Sequence, residues 1–356
     1  MGPSLEALGW DVTFADAFVS HAASGHEPAR VSLEYNYLYR VLTPRGDFIA
    51  ENAGRLKHDT LHRSELPAVG DWVAIKPAPG ETRATIHAVL PRRSRFSRKV
   101  AGSRTDEQVV AANIDRALVV MGLDNDFNPR RLERYLVLAW EGGVEPAVVL
   151  NKADLCPDVE TYVHQTAAVA PEVPIHVTSF KSGAGVDALR VYFQHGKTLA
   201  LLGSSGVGKT TFVNRVLGAE LHDTQEVRVR DARGRHTTRH RQLIILPDGG
   251  LIIDTPGLRE LQLWEGSESI EDVFHDIDAL VEGCRFRDCR HQTEPGCAVK
   301  EAVADGRLAA ARLENYHKLQ RELEQFEVRH DKALQSELNR RNRALHRIMR
   351  NLKHRE

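Results

Sequence analysis

Residues Gly203-Ser204-Ser205-Gly206-Val207-Gly208-Lys209-Thr210 follow the pattern G-x-x-x-x-G-K-[ST] between an apolar run and a helical one. Glycines at 203 and 208 let the backbone wrap closely around phosphate. The loop N–H groups, together with the N-terminus of the next helix, make an anion site. Lys209 is expected to reach the outer phosphates and the Thr210 hydroxyl to bind Mg²⁺, with Ser204, Ser205, Gly206, Val207 and Thr211 lining the same nucleotide. Asp254-Thr255-Pro256-Gly257 follows the apolar run Leu251-Ile252-Ile253. An acid there can reach the same Mg²⁺, and the Gly257 N–H can sense the terminal phosphate.

A second signature selects the base. The carboxylate of Asp154, in Asn151-Lys152-Ala153-Asp154, can accept from guanine N1–H and the exocyclic amine together. Adenine offers no such pair and would leave the acid unmatched, so the position favours GTP over ATP. Asn151 would secure the loop and Lys152 would cover the base. Thr178-Ser179 stands at the next strand end, where a backbone amide would meet the guanine oxygen. Ordinarily the phosphate loop precedes the base-reading motif. Here the order is reversed, which predicts a circularly permuted GTPase.

Between the phosphate loop and Asp254 lies Gly234-Arg235-His236-Thr237-Thr238, where a first switch segment belongs. Thr237 or Thr238 is expected to close over Mg²⁺ when the terminal phosphate is present; an Arg-rich surface loop is the alternative. Leu258 stands where many GTPases carry a water-orienting glutamine, and leucine cannot do that work. His236 is the candidate replacement, although it could equally contact RNA.

The chain holds four cysteines, and Cys284, Cys289 and Cys297 cluster with His291 as C-x4-C-x-H-x5-C. Three thiolates and an imidazole suit a tetrahedral, structural Zn²⁺ with no open position. Reduced packing cysteines are the alternative. Neither reading is a disulfide framework.

The elements that must position these groups fall into blocks. A 356-residue chain predicts more than one domain. Residues 1–30 are weakly patterned and read as a partly mobile extension. Residues 31–100 read as about five short strands without a convincing helix, an OB-like β-barrel. A polar linker follows near 101–108. Residues 108–262 alternate apolar strands with helices, the pattern of a doubly wound α/β sheet, with helices expected at Pro129–Trp140, Val186–His195 and Lys209–Leu217. Residues 263–325 read as an α-helical zinc-binding domain, in which Tyr316, Leu319, Leu323 and Phe326 form an inward stripe. Residues 326–356 read as a basic helical tail.

The net charge is −1, yet positive charge is concentrated in Arg92–Lys99, in Arg228–Arg241 and in the tail. Such patches on a neutral protein point to an anionic partner, nucleic acid above all, with solvated surface as the alternative. The N-terminus has no basic start with an apolar core, and no apolar run approaches membrane-spanning length, so a cytoplasmic location without membrane contact is expected.

Taken together, residues 32–325 resemble the bacterial RsgA family of circularly permuted, small-subunit-dependent GTPases. The likeness rests on the barrel with Gly70-Asp71-Trp72-Val73, the stretch Leu90-Pro91-Arg92-Arg93, the reordered GTPase motifs, Cys289-Arg290-His291 and Glu294-Pro295-Gly296-Cys297. It implies a GTPase that binds the 30S ribosomal subunit and its 16S rRNA, hydrolyses GTP in a subunit-stimulated way during late maturation, and leaves after hydrolysis. The implied ligands are GTP or GDP with Mg²⁺ and one structural Zn²⁺, on a monomer. Other readings stay open: a GTPase of translation or RNA modification, or a nucleotide-sensing module that hardly turns over, which Leu258 favours.

Overall fold

The structure, a computed structural model, describes residues 2–35, 37–60, 62–99, 107–124, 126–218, 241–254 and 267–324. They fall into two compact units, the first holding the described residues up to Arg98 and those of 107–254, the second Lys99 and those of 267–324.

The N-terminal segment differs from expectation. A 3₁₀ turn at Glu6–Leu8 leads into helix α1, Val12–Ala23, capped by Asp11, whose carboxylate accepts from the N–H groups of Thr13 (3.0 Å) and Phe14 (3.3 Å). Trp10, Phe14 and Phe18 recur every fourth residue and share one face. Trp10 meets Phe14 and Phe18, and Trp10 and Phe14 pack on Trp72, with the Trp10 and Trp72 rings 4.7 Å apart in a T-shaped contact. Each such pair contributes roughly 0.5–1.5 kcal/mol beyond its buried area, which ties the segment to the barrel.

The barrel contains β1 (Glu27–Tyr35), β2 (Leu38–Thr43), β3 (Gly46–Asn52), β4 (Trp72–Pro77) and β5 (Arg83–Val89). β1 pairs antiparallel with both β2 and β4, and β3 pairs parallel with β5, so the sheet closes in the order β1-β2-β3-β5-β4. Alternate residues point inward: Ala29 and Val31, Tyr39 and Val41, Phe48 and Ala50, Val73 and Ile75, Ala84 and Ile86 form one core. A short helix α2, Gly54–Asp59, which the sequence reading missed, follows β3. Downstream, β6 (Arg95–Lys99) and β7 (Glu107–Ala112) form a two-stranded sheet, so Glu107 and Gln108 belong to a strand rather than to a linker.

The α/β part follows with β8 (Arg116–Gly122), α3 (Pro129–Glu141), β9 (Glu145–Asn151), α4 (Val159–Val169), β10 (Ile175–Val177), β11 (Thr198–Leu202), α5 (Lys209–Leu217), β12 (Gln242–Ile245) and β13 (Leu251–Asp254). Strands β10-β9-β8-β11-β13 are parallel neighbours, and β12 runs antiparallel beside β13. Leu118, Val120, Val149, Leu199 and Leu201 face a core with Phe212 and Val213 of α5 and with Leu189. α3 packs on β8 and β9 and contributes nothing to that core, so it covers the other face. The expected helix at Val186–His195 is a 3₁₀ stretch, Asp187–Tyr192. β12 also pairs with β1 at Gln242 and Leu33, so barrel and α/β sheet are continuous.

The second unit holds helices Ser267–Val273, His275–Val281, Ala298–Ala304 and 310–324, and Arg312 of the last joins the first two. Its guanidinium bonds both Asp276 carboxylate oxygens at 2.7 Å and the Val273 carbonyl at 2.8 Å. Leu319 and Leu323 are buried as the stripe predicts and Tyr316 meets Phe274 edge-on; Phe326 lies outside the described residues.

Candidate nucleotide and metal sites

Each motif emerges at the carboxyl end of a parallel strand. β9 ends in Asn151, β10 leads into Thr178, β11 into Gly203, and β13 ends in Asp254. In open α/β sheets the crevice beyond these ends is where ligands bind.

In the phosphate loop, Gly203 (φ 143°) and Gly208 (φ 105°) adopt conformations closed to other residues. A Cβ at 203 would lie 2.4 Å from the Val120 carbonyl oxygen, and one at 208 would lie 2.5 Å from Asn151 Nδ2. Val207 is buried under the loop, which leaves Ser205 and Gly206 exposed at its rim. Lys209 Nζ donates to the carbonyls of Gly203 (2.8 Å) and Ser204 (2.6 Å), so its ammonium spans the loop. Thr210 and Thr211 are exposed on the first turn of α5.

Asn151 braces three segments. Its Nδ2 donates to the Val207 carbonyl (2.6 Å), and its Oδ1 accepts from the Phe180 N–H (2.8 Å) and the Thr178 hydroxyl (3.4 Å). A fully bonded, buried amide of this kind fixes the base-reading loop against the phosphate loop. Lys152 has left-handed backbone (φ 67°) and pairs with the carboxylate of Asp124, while the Ala153 N–H donates to the Thr178 carbonyl at 3.0 Å. Asp154 is exposed and lines a cleft of about 270 Å³ with Leu155, Ser179, Phe180, Lys181, Gly208 and Thr211.

The sequence reading missed two contributors. Arg215 of α5 donates to the carbonyls of Phe180 (2.8 Å) and Lys181 (2.6 Å) and so holds the loop after β10. Asp124 was likewise unmarked, because nothing in its local sequence says that its carboxylate meets Lys152. His236, Thr237, Thr238, Gly257 and Leu258 lie outside the described residues, as does the Asp254 side chain. The basic run at 228–241, apart from Arg241, and the tail at 326–356 also lie outside them.

Arginines of the first basic run have partners within the protein. Arg92 forks onto Asp71 at 2.8 and 2.7 Å and donates to the Leu66 carbonyl, and Asp71 is itself buried. Arg93 pairs with Asp11 at 2.6 Å and lies over the Phe14 ring. Arg95 faces Glu107 at 3.4 Å, and Arg98 bonds Gln108 at 3.3 Å. Asp71, Asp11 and Glu107, remote in sequence, thus pair with three of these arginines, of which Arg93 and Arg95 keep part of their side chains exposed.

In the second unit, one ligand atom from each of Cys284, Cys289, His291 and Cys297 lies within 4.8 Å of the others. Cys284 Sγ is 3.9 Å from Cys297 Sγ and 3.6 Å from His291 Nδ1, and His291 Nδ1 is 3.4 Å from Cys297 Sγ. Tetrahedral zinc with Zn–S near 2.3 Å requires edges of about 3.8 Å between sulfurs and about 3.6 Å between sulfur and nitrogen. The donor set therefore fits Zn²⁺. Desolvation, with neighbouring Cys297 and Cys284, pushes the Cys289 thiol up to about 11, so a bound cation would favour this sulfur as the thiolate. Burial lowers the pKa of His291, which favours the neutral imidazole that a metal ligand must be. His291 has φ 58°, and the Glu294 carboxylate bridges the flanking N–H groups of Arg290 (3.1 Å) and Gln292 (2.8 Å) as well as that of Thr293 (2.9 Å). Its own backbone N–H first, and then these bonds, hold the Glu294 carboxyl down at about 2.

No helix among the described residues is long and apolar enough to cross a membrane.

Residues 89–264 match the family described as RsgA GTPase. Residues 198–337 match the family described as 50S ribosome-binding GTPase. The second match opens at β11, the strand before the phosphate loop, and so does not include Asn151. The small ribosomal subunit biogenesis GTPase RsgA of Opitutus terrae is 47% identical over 329 residues, covering 90% of this chain and 89% of the relative. That of Streptomyces coelicolor is 41% identical over 338 residues, covering 94% and 91%. The crystal structure of YjeQ from Thermotoga maritima aligns with a TM-score of 0.59 at 28% identity, covering 84% of this chain and 98% of that one. YloQ, described as a circularly permuted GTPase, aligns with a TM-score of 0.58 at 25% identity, covering 84% and 96%.

Proposed function

This chain belongs to the RsgA GTPase family and is a P-loop GTP hydrolase, and we propose that it binds the 30S subunit and hydrolyses GTP in a subunit-stimulated way during late small-subunit maturation. The observation that carries this reading is the convergence of the permuted motifs at the carboxyl ends of adjacent parallel strands, in a chain with relatives named for small-subunit biogenesis.

On this reading Gly203 to Thr211 hold the phosphates, with Lys209 meeting the outer ones. Asn151, Lys152 and Asp154 hold guanine, helped by Thr178 and Ser179. Thr210 and Asp254 would hold Mg²⁺, which neutralises phosphate charge when bound with GTP. β11 and β13 are adjacent in parallel register, which supports that pairing. Thr237, Thr238 and Gly257 would sense the terminal phosphate, and His236 would orient water in place of a residue such as glutamine at Leu258. Cys284, Cys289, His291 and Cys297 would hold a structural Zn²⁺.

We divide the work among the barrel (31–100), the GTPase domain (108–262), the zinc domain (263–325) and the basic tail (326–356), with 1–30 as an N-terminal extension whose last residues, from Glu27, begin β1. Exposed Tyr35 and Tyr37 on the barrel, the latter beneath Arg63, offer stacking surfaces for 16S rRNA. Phe286, 40% exposed with Arg285 over its ring, offers another. The protein acts as a monomer in the cytoplasm. Co-sedimentation with isolated subunits tests the partner. A non-hydrolysable GTP analogue should carry the protein onto 30S and not 50S, with weaker binding in GDP; equal binding in both states would remove the nucleotide dependence.

A further inference from the structure

We propose that Asp124 is a positioning residue of the guanine site, holding the Lys152 ammonium where it covers the base; this rests on the guanine reading of that site. β8 and β9 end in register, Gly122 opposite Asn151, and the Leu123 N–H donates to the Asn151 carbonyl at 2.9 Å. The residue after Leu123 therefore emerges beside Lys152. Gly122 makes room for it: a Cβ there would lie 2.5 Å from Asp124 Oδ1.

The lysine needs such a partner. Its left-handed backbone, with φ 67° and ψ 34°, is sparsely populated for a residue with a Cβ and sets the direction in which the side chain leaves the loop. Four methylenes still leave the ammonium free to sweep. The Asp124 carboxylate ends that freedom by pairing with Lys152 Nζ. Both side chains are partly shielded, 24% exposed for Lys152 and 34% for Asp124, so the pair is less screened than an open surface pair. Asp154 then reads the edge of the base while Lys152, held from behind, lies over its face.

The test uses the full-length protein and a fluorescent GDP analogue, with D124N, K152A and the double variant. Loss of one charge-assisted bond predicts about tenfold weaker GDP binding for D124N. KM for GTP should rise in step, with kcat within about twofold of wild type. The double variant should bind no worse than K152A, because each partner acts through the other. Should D124N not accumulate folded, D124S serves the same comparison. Wild-type affinity in the Asp124 variant, or fully additive losses in the double, would overturn the proposal while leaving the guanine site standing. A wild-type protein that binds ADP as tightly as GDP would instead remove the guanine reading and this inference with it.

Discussion

Arg30 of the barrel donates to the Thr198 hydroxyl at 2.8 Å, at the start of the strand that feeds the phosphate loop. The same guanidinium donates to the carbonyls of Gly70 (3.2 Å) and Asn113 (3.0 Å), and to that of Leu8 in the N-terminal segment. It is 1% exposed and lies against the Trp72 ring. Burial lowers its pKa to about 10, so it stays charged at neutral pH. One cation thus joins the N-terminal turn, the barrel and the GTPase sheet into a single body.

Replacing Arg30 by methionine leaves those acceptors buried without their donor. The expected loss is roughly 3–5 kcal/mol, read by chemical denaturation. A loss under about 1 kcal/mol would show that the cluster is not what binds these parts together.

Asp154→Asn should move nucleotide preference from GTP to XTP. An amide can donate to the extra xanthine carbonyl but no longer accepts both guanine donors. Competition binding reads this directly, and an unchanged preference for GTP would take Asp154 out of base recognition.

The zinc reading predicts one Zn²⁺ per chain. Cys284→Ser should abolish it. Glu294→Ala should speed its transfer to a chelator about tenfold, because His291 sits in backbone that costs roughly 1–2 kcal/mol and the Glu294 carboxylate clamps it on both sides. Chelator kinetics as slow as wild type would contradict the clamp.

Acid should lower the stability of the fold around His87. The His26 and His87 rings are 4.6 Å apart, with His21 and Lys76 nearby. Partial desolvation first, then the charges of His26 and Lys76, hold the imidazole of His87, an exposed residue, below its ordinary value. The unfolded chain therefore binds the extra proton first as pH falls below about 6.5, and folded stability falls with it. The drop in Tm between pH 7 and pH 5.5 should be smaller in His87→Gln; an identical drop would contradict this.

The positions of the site motifs were legible because glycine, lysine and paired acid or amide side chains at strand ends carry their chemistry in short spacings. Lys209–Leu217 is helical over the span expected. Pairings remote in sequence were not legible. Arg92 reads as surface charge until Asp71 folds beneath it, and Asp124 reads as loop until β8 and β9 align. The fourfold spacing of Trp10, Phe14 and Phe18 was a usable helix signal, obscured by the exposed Val12 and Val19 on the same helix. The 3₁₀ stretch at Asp187–Tyr192 shows the limit of periodicity, since six residues hold less than two turns of an α-helix.

The central claim is that a GTPase without a glutamine at Leu258 becomes efficient on its ribosomal target. Steady-state GTP hydrolysis, measured alone, with purified 30S and with 50S, tests it most directly. Strong stimulation by 30S and none by 50S is the predicted result. Tight GTP binding with no stimulation by 30S would contradict the account and favour a nucleotide-sensing module that hardly turns over.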